Sequence, residues 1–290
     1  MPNLFSMVTL KESNNYTIEA LKSFFKYTFL KNDDDFYLID NDKSENNQFL
    51  NYKTIKIINN SKPMSFAENV NQSIEIAIKN KKDLVFLNND IVFTKNWFKP
   101  FILESESISI PCNNQIFQYE SDLGILKLKP TMNLNNFNNN YELLEEILEQ
   151  HKLKIKSGQK FQTLLMPFYA FKIPYEILKN VGYFDISYGT GGGEDIDYRF
   201  RCAIKGYNVN YLTDSYLLHF HGKSTWGIES EEEIRKRNIK YKEIFKKKWG
   251  NEATKIFIER ENFLEILQNK NLINLYKKNN FTELIKILIS

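Results

Sequence analysis

Gly191-Gly192-Gly193-Glu194-Asp195-Ile196-Asp197-Tyr198-Arg199-Phe200-Arg201 packs three glycines, three carboxylates and two guanidiniums into one short stretch. Consecutive glycines adopt backbone dihedrals closed to other residues and let a chain approach a bulky ligand. Glu194 and Asp195 fall where a helix would begin, a position at which the helix dipole favours acids. Ile196, Phe200, Ala203 and Ile204 continue at helical spacing, and Gly206 stops the run as a C-cap glycine does. The spacing predicts a loop that delivers two adjacent carboxylates from the end of a rigid helix, which suits general acid–base chemistry. The plainer reading is a glycine turn followed by an acidic first helical turn.

Two other places could hold chemistry. Asn88-Asn89-Asp90 ends an apolar run, and an amide and a carboxylate two residues apart can offer oxygen ligands to a divalent cation that a diphosphate also binds. Asn and Asp are equally common as turn formers. Two of the three histidines, His219 and His221, share one face if the strand beneath them is continuous. Either, beside Asp90, would complete a mixed oxygen and nitrogen site, a donor set that suits manganese more than magnesium alone.

The elements that must position these groups read as alternating strands and helices. Leu4–Leu10, Asp35–Asp40, Ile55–Asn60 and Asp83–Leu87 are strand-like, while Ile18, Leu21, Phe24 and Phe25 have helical spacing. A helix starting near Ser65 runs through Ala67, Val70, Ile74 and Ile78. That order predicts a mostly parallel sheet flanked by helices, with ligands beyond the carboxyl ends of the strands. Residues 105–165 read as an insertion over the site, with an amphipathic helix at Tyr141–Leu153. Phe161–Phe171 reads as one returning strand, leading through Pro174 into a short helix that ends at Gly182. Tyr207–Leu212 and Ser215–His221 read as two further strands. From Glu229 the chain is helical and charged, with amphipathic segments at Ile256–Leu267 and Leu272–Ile289. Their apolar faces pack on the catalytic domain or on a second subunit, or a basic amphipathic tail touches an anionic membrane.

Composition narrows the function classes. In 290 residues, 39 basic against 36 acidic side chains leave a formal charge of +3, too small a field to argue for nucleic acid. With 42% hydrophobic residues the chain can bury a sizeable core. Cys112 and Cys202 are too few for a disulfide framework and lack zinc-finger spacing, so two buried thiols in a reducing compartment are expected. No stretch approaches the ~20 apolar residues of a membrane span, and no basic region precedes an apolar run at the N-terminus. Cytoplasmic residence follows as the expectation, with peripheral membrane contact and self-association left open.

Taken in order, these features resemble the family-2 glycosyltransferases of the GT-A fold, over roughly residues 4 to 250. Asp40-Asn41-Asp42-Lys43-Ser44 is similar to their Asp-Asn-x-Ser segment, Phe66-Ala67 with Asn71 to their Phe-Ala…Asn helix, and Asn88-Asn89-Asp90 to their metal-binding Asp-x-Asp. Gly182-Tyr183-Phe184-Asp185 followed by Gly193-Glu194-Asp195-Ile196-Asp197-Tyr198-Arg199 follows their Gly-x-Phe-Asp…Gly-Glu-Asp-x-Asp…Arg pattern most closely, with Gly206-Tyr207 behind it. His219-Phe220-His221-Gly222-Lys223-Ser224-Thr225 resembles their late His-x-x-Gly-x-x-Thr element, and Lys248-Trp249-Gly250 a Lys-Trp-Gly near the end of many members. The sequence departs at Asn88, which leaves Asp90 as the only carboxylate of the triplet, and at Val8-Thr9-Leu10-Lys11, which lacks the usual Tyr-Asn.

The resemblance implies inverting, metal-dependent transfer of a sugar from a nucleotide-diphosphate donor to a hydroxyl of a carbohydrate or glycoconjugate. It implies a donor-binding set of Thr9, Asp40, Asn71, Asn88, Asn89 and Asp90, and an acceptor side at Gly192, Gly193 and Glu194. Asp195 is the implied base, with Glu194 as orienting group or alternative base. Manganese or magnesium is the implied cofactor, at Asp90 with His219 or His221. A catalytic domain over 1–228, divided at 104 and 165, and a helical extension over 229–290 complete the expectation. A nucleotidyltransferase would carry a Gly-rich basic N-terminal loop, which Met7–Ser13 is not. A noncatalytic sugar- or nucleotide-binding module on the same fold is a second rival, against which the retained Glu194, Asp195, Asp90 and His219 speak, and a purely structural protein would leave the acids and histidines without a use.

Overall fold

The computed structural model describes residues 1–43, 49, 52–114, 134–154, 157–162, 168–220, 222, 230–259 and 270–290. Its frame is one sheet of nine strands in the order β3-β2-β1-β4-β8-β6-β9-β5, with β7 paired to β9. The strands are β1 Asn3–Thr9, β2 Asp35–Asp40, β3 Ile55–Asn59, β4 Asp83–Leu87, β5 Ile91–Phe93, β6 Ile108–Asn113, β7 Lys160–Gln162, β8 Ala170–Ile173 and β9 Val209–His219. From β3 to β4 the sheet is parallel throughout, as the alternating pattern predicts. Beyond β4 it is mixed: β8 runs antiparallel to β4 and β6, β9 runs parallel to β6, and β5 and β7 return antiparallel on β9.

Helices cover both faces of the parallel half. Helix α1 (Asn14–Tyr27) buries Ala20, Leu21 and Phe24, and Phe24 meets Phe5, Phe36, Phe93 and Trp97 ring against ring. Helix α2 (Phe66–Lys79) starts at a capping box: the Ser65 hydroxyl accepts from the Glu68 N–H, and the Glu68 carboxylate accepts from Ser65. Short helix α3 (Lys99–Leu103) connects β5 to β6, α4 (Leu134–Phe137) and α5 (Tyr141–Lys154) lie between β6 and β7, and α6 (Tyr175–Val181) follows β8. Helix α7 (Glu194–Ile204) follows the glycine run. The C-terminal part is helical, with α8 (Glu231–Trp249), α9 (Asn251–Thr254), α10 (Lys270–Lys277) and α11 (Phe281–Ile289).

Three elements differ from the sequence reading. Ile108–Asn113 is a fully buried sheet strand, so the stretch from 105 to 165 contributes β6 and β7 to the frame and is not simply an insertion. Its helices α4 and α5 dock on the main core through Phe137, Leu144 and Leu148. Tyr207–Leu212 and Ser215–His221 are one strand as far as His219, because Thr213–Ser215 is extra chain opposite the Pro111–Cys112 step and the ladder resumes beyond it. Asp214, at that irregularity, accepts from the Gly158 N–H at 2.6 Å. The single strand expected at Phe161–Phe171 is two, β7 on β9 and β8 between β4 and β6.

Helix α7 is packed from both sides. Tyr198 and Cys202 face the main core, whereas Phe200 and Ala203 belong to a second apolar cluster with Phe245, Ala253, Phe257, Phe281, Leu284 and Ile285. The C-terminal helices therefore pack on this chain's own α7, one of the arrangements their apolar faces allow. Both cysteines are buried.

Candidate active site

The carboxyl ends of β1, β2 and β4 lie side by side, since Thr9 pairs with Asp40 and Met7 with Leu87. Thr9 and Asp40 are both buried there. The Thr9 hydroxyl bonds Asn14 Oδ1 and Thr17 Oγ1 at 3.1 and 2.8 Å, which anchors α1 to the strand end. Asp40 Oδ1 accepts weakly from the Asp42 N–H at 3.4 Å, as a turn acid does. Beside it Asn41, Asn60 and Asn69 form a buried amide cluster, with Asn60 Nδ2 donating to Asn41 Oδ1 and Asn69 Oδ1 at 2.7 and 2.8 Å. The sequence reading missed this cluster, and no spacing rule ties those three asparagines together.

Two of the residues assigned to donor binding are held by scaffold bonds. Asn71 clamps the backbone of Phe184, accepting from its N–H at 2.7 Å and donating to its carbonyl at 2.9 Å. Asn89 reaches the start of α1, where its amide donates to Ser13 Oγ and Thr17 Oγ1. Asn88 is half-buried, and its N–H donates to the Tyr169 carbonyl at 2.7 Å.

Asp90 is the residue of the triplet that reaches a partner of chemical interest. Pairing of Ile91 with His219 and of the Phe220 N–H with the Asp90 carbonyl sets its carboxylate beside the imidazole, with His219 Nε2 3.3 Å from Asp90 Oδ1. Both side chains are almost fully buried, at 0% and 6% exposure. Tyr169 stacks on the His219 ring at 4.7 Å, and the His219 N–H donates to Asn114 Oδ1. Tyr16, from the first turn of α1, packs edge-on against Phe220. Burial first, and the Asp90 charge second, hold its phenol above the usual range. A carboxylate oxygen and an imidazole nitrogen brought together in this way fit two donor positions of a manganese-tolerant site, the remainder coming from water or a diphosphate. Among the described residues no third His, Cys, Asp or Glu joins them, and His221 lies outside the described residues.

The acid pair stands at the N-terminus of α7. Gly193 is left-handed at the N-cap (φ 88°), and Glu194, Asp195 and Asp197 occupy the first turn. Glu194 is buried and Asp195 half-buried. Burial is the main cause that raises both carboxyls above the ordinary range, and for Glu194 the neighbouring Asp195 charge adds to it. Hydrogen bonds, first among them the Phe168 N–H to Asp195 Oδ2 at 3.3 Å, restrain the rise at Asp195. Glu194 Oε2 is buried without a hydrogen-bond partner. The two clusters meet through one dipeptide: Phe168 holds Asp195 and Tyr169 stacks on His219.

The glycines let the loop pack closely on aromatic rings. A Cβ on Gly192 (φ 110°) would lie 2.6 Å from the Tyr241 ring of α8, and one on Gly193 would lie 2.9 Å from Tyr188. Arg237 Nη1 donates to the Gly191 carbonyl at 3.4 Å. At Gly192 and Gly193 the loop is thus pressed against the chain's own aromatic rings. Asp197, the third acid, is a clamp: Arg201 Nε and Lys248 Nζ reach it at 2.8 and 2.6 Å, and Trp249 Nε1 donates at 2.9 Å. Lys248 also pairs with Asp185, whose carboxyl burial would raise but which bonds from Lys248 and Ser187 hold down to about 2.

No protein-family model matches the sequence, and no curated protein matches it. Solved structures resemble its fold. GalNAc-T7, crystallised with UDP, GalNAc and Mn2+, superposes with a TM-score of 0.62 at 14% identity over 98% of this chain and 54% of its own. This chain thus spans about half of that one. Residues 1–349 of S. aureus TarS with UDP-GlcNAc give 0.53 at 15% identity, covering 100% of this chain and 82% of the other. The mannosyltransferase PcManGT from Pyrobaculum calidifontis, with GDP-Man and Mn2+, gives 0.53 at 12% identity, covering 99% and 84%. The chain has the GT-A fold of these glycosyltransferases.

Proposed function

We propose that this chain is a family-2-like, inverting glycosyltransferase that moves a sugar from a nucleotide-diphosphate donor to a hydroxyl of a carbohydrate or glycoconjugate. The observation that carries the reading is the convergence on Phe168-Tyr169 of an Asp90–His219 pair and a Glu194–Asp195 pair, on a fold whose solved relatives hold UDP, UDP-GlcNAc and GDP-Man. Asp90 and His219 are the groups that would hold a divalent cation. Bound there, such a cation supplies charge that stabilises a diphosphate leaving group.

The steps assigned to the chain's own side chains are these. Asp195, fixed by the Phe168 N–H and more accessible than Glu194, removes the acceptor hydroxyl proton as the oxygen attacks the anomeric carbon. The bond from that carbon to the diphosphate breaks, and its electron pair leaves with the nucleotide. Glu194 carries the proton that two adjacent buried carboxyls retain between them, leaving Asp195 as the ionised member. Attack opposite the leaving group inverts the anomeric centre.

A panel of UDP- and GDP-sugars, with and without Mn2+, tests the proposal by thermal shift and by donor hydrolysis, because a ligand of the folded state raises its melting temperature. Stabilisation by one nucleotide class that needs the metal, with slow hydrolysis, is expected. Asp195→Asn should keep the stabilisation and lose transfer by about 10²- to 10⁴-fold, the usual size of a general-base contribution. Asp90→Ala should lose the metal-dependent stabilisation. Nucleotide binding without turnover on any acceptor would favour a binding module, and wild-type transfer by both variants would overturn the site.

A further inference from the structure

We propose that the side of α8 turned toward the glycine loop is an anion-recognition element, and that the acceptor carries a phosphate or carboxylate close to its reacting hydroxyl. The word acceptor rests on the transferase reading; the anion site does not.

Helix α8 crosses the loop in contact with it. Tyr241 fills the space beside Gly192, Arg237 donates to the Gly191 carbonyl, and Lys240 Nζ lies 3.2 Å from the position a Cβ on Gly189 would take. Two cations therefore line residues 189–191, just ahead of Glu194 and Asp195. Most other cations of α8 have a local reason for their place. Lys236 pairs with Glu232, Lys242 with Glu259, and Lys248 with Asp185 and Asp197. Lys246 and Lys247 sit in the last turn, where the helix dipole favours positive charge. Lys240 is exposed in the middle of the helix, with no carboxylate in ion-pair reach among the described residues.

The cations are not there to tune the base. Burial raises both carboxyls, the Asp195 charge adds to the rise at Glu194, and neither Arg237 nor Lys240 is among the causes. They lie along residues 189–191 of the loop that leads into Glu194 and Asp195, so an anionic group next to the reacting hydroxyl would meet them there. A neutral sugar hydroxyl accepts only weaker hydrogen bonds from such cations, whereas a phosphate or carboxylate gains bonds charged on both sides.

The test uses the full chain at low salt and ligand-observed NMR with three matched probes, glucose, glucose 6-phosphate and glucuronic acid. At least one charged probe should bind about tenfold tighter than glucose, the scale of one charge-assisted contact. The better of the two names the anion. Lys240→Glu should bring the preference close to unity. Arg235→Glu makes the same charge change about 140° round the helix at 3.6 residues per turn, and should retain it. Equal binding of the three probes, or a preference that survives Lys240→Glu, overturns the proposal. Hydrolysis of the nucleotide-sugar panel is followed alongside. Charge preference lost in Lys240→Glu without hydrolysis of any donor supports the anion site and sinks the transferase reading, while hydrolysis without charge preference does the reverse.

Discussion

Glu194 and Asp195 are adjacent acids that the fold refuses to solvate fully. A carboxyl whose folded pKa is raised binds its proton more tightly in the native state than in the unfolded chain, where carboxyls titrate near about 4. The pair's contribution is thus fully favourable below that range and is lost as pH climbs through the raised one. On the proposed role of Asp195 as base, the same titration governs activity in the opposite direction, because a base accepts a proton only when ionised. Rate should therefore rise across the pH interval in which stability falls. Glu194→Gln keeps the shape and removes the buried acid. Its melting temperature should match wild type near pH 3, where folded and unfolded chains both hold the proton, and exceed it near pH 9, by about 2–4 °C for each kcal/mol recovered in a chain of this size. Melting curves of the two proteins at both values decide it, and parallel pH profiles would mean that Glu194 ionises without cost.

The glycine loop shows how an element takes its shape from a distant one. At φ 110° Gly192 holds a conformation that costs a side-chain-bearing residue about 1–3 kcal/mol, and the Tyr241 ring adds a collision 2.6 Å from any Cβ. Gly192→Ala should destabilise the fold by at least that backbone cost. In combination with Tyr241→Ala the loss should be smaller than the sum of the two singles, because the ring is gone but the strain remains. Urea denaturation of the four corners of this cycle measures the coupling, and strict additivity would show that the ring gives way freely. Gly192 also marks where the sequence stopped being legible. Local signals were readable: the Ser65 cap, the strands ending at Asp40 and Leu87, the Gly182 stop of α6 and the helix after Gly193 all stand where spacing places them. That Asp90 meets His219 depends on antiparallel pairing across more than a hundred residues, which the shared chemistry of the two suggested but no local pattern fixes. The partners of Gly192, Asn71, Asn89 and Asp197 were hidden altogether, since each is a long-range packing relation and the residue types are those of ordinary turns and caps.

At the scale of the molecule the question is where the folded unit that carries the acid pair ends. The family resemblance runs to about Gly250, and charge patterning suggested a helical extension from 229 onward. The packing argues instead that residues after 250 complete the support of the acid pair. Helix α7 presents Tyr198 and Cys202 to the sheet and Phe200 and Ala203 to α8, α9 and α11, so its second face is a core only while those helices are present. Arg199, wholly buried on the same helix, donates to Thr282 Oγ1 of α11 and to Gln162, which also accepts from the Thr282 N–H at 2.7 Å. Removal of 251–290 bares Phe200 and Phe245. Re-exposing half of two phenyl side chains, about 150–250 Å² together, forfeits about 4–6 kcal/mol at about 25 cal/mol/Å². Domains of this kind are held by only about 5–15 kcal/mol. A chain ending at Gly250 should therefore be aggregation-prone or lack a cooperative melt, although it keeps every residue assigned to donor, metal and base. Expression of the fragment beside the full chain, with calorimetry on both, is the measurement. A sharp transition within a few degrees of the full chain's would make the last helices an appendage, and would move the origin of the α7 orientation back to the Asp197 clamp with Lys248 and Trp249.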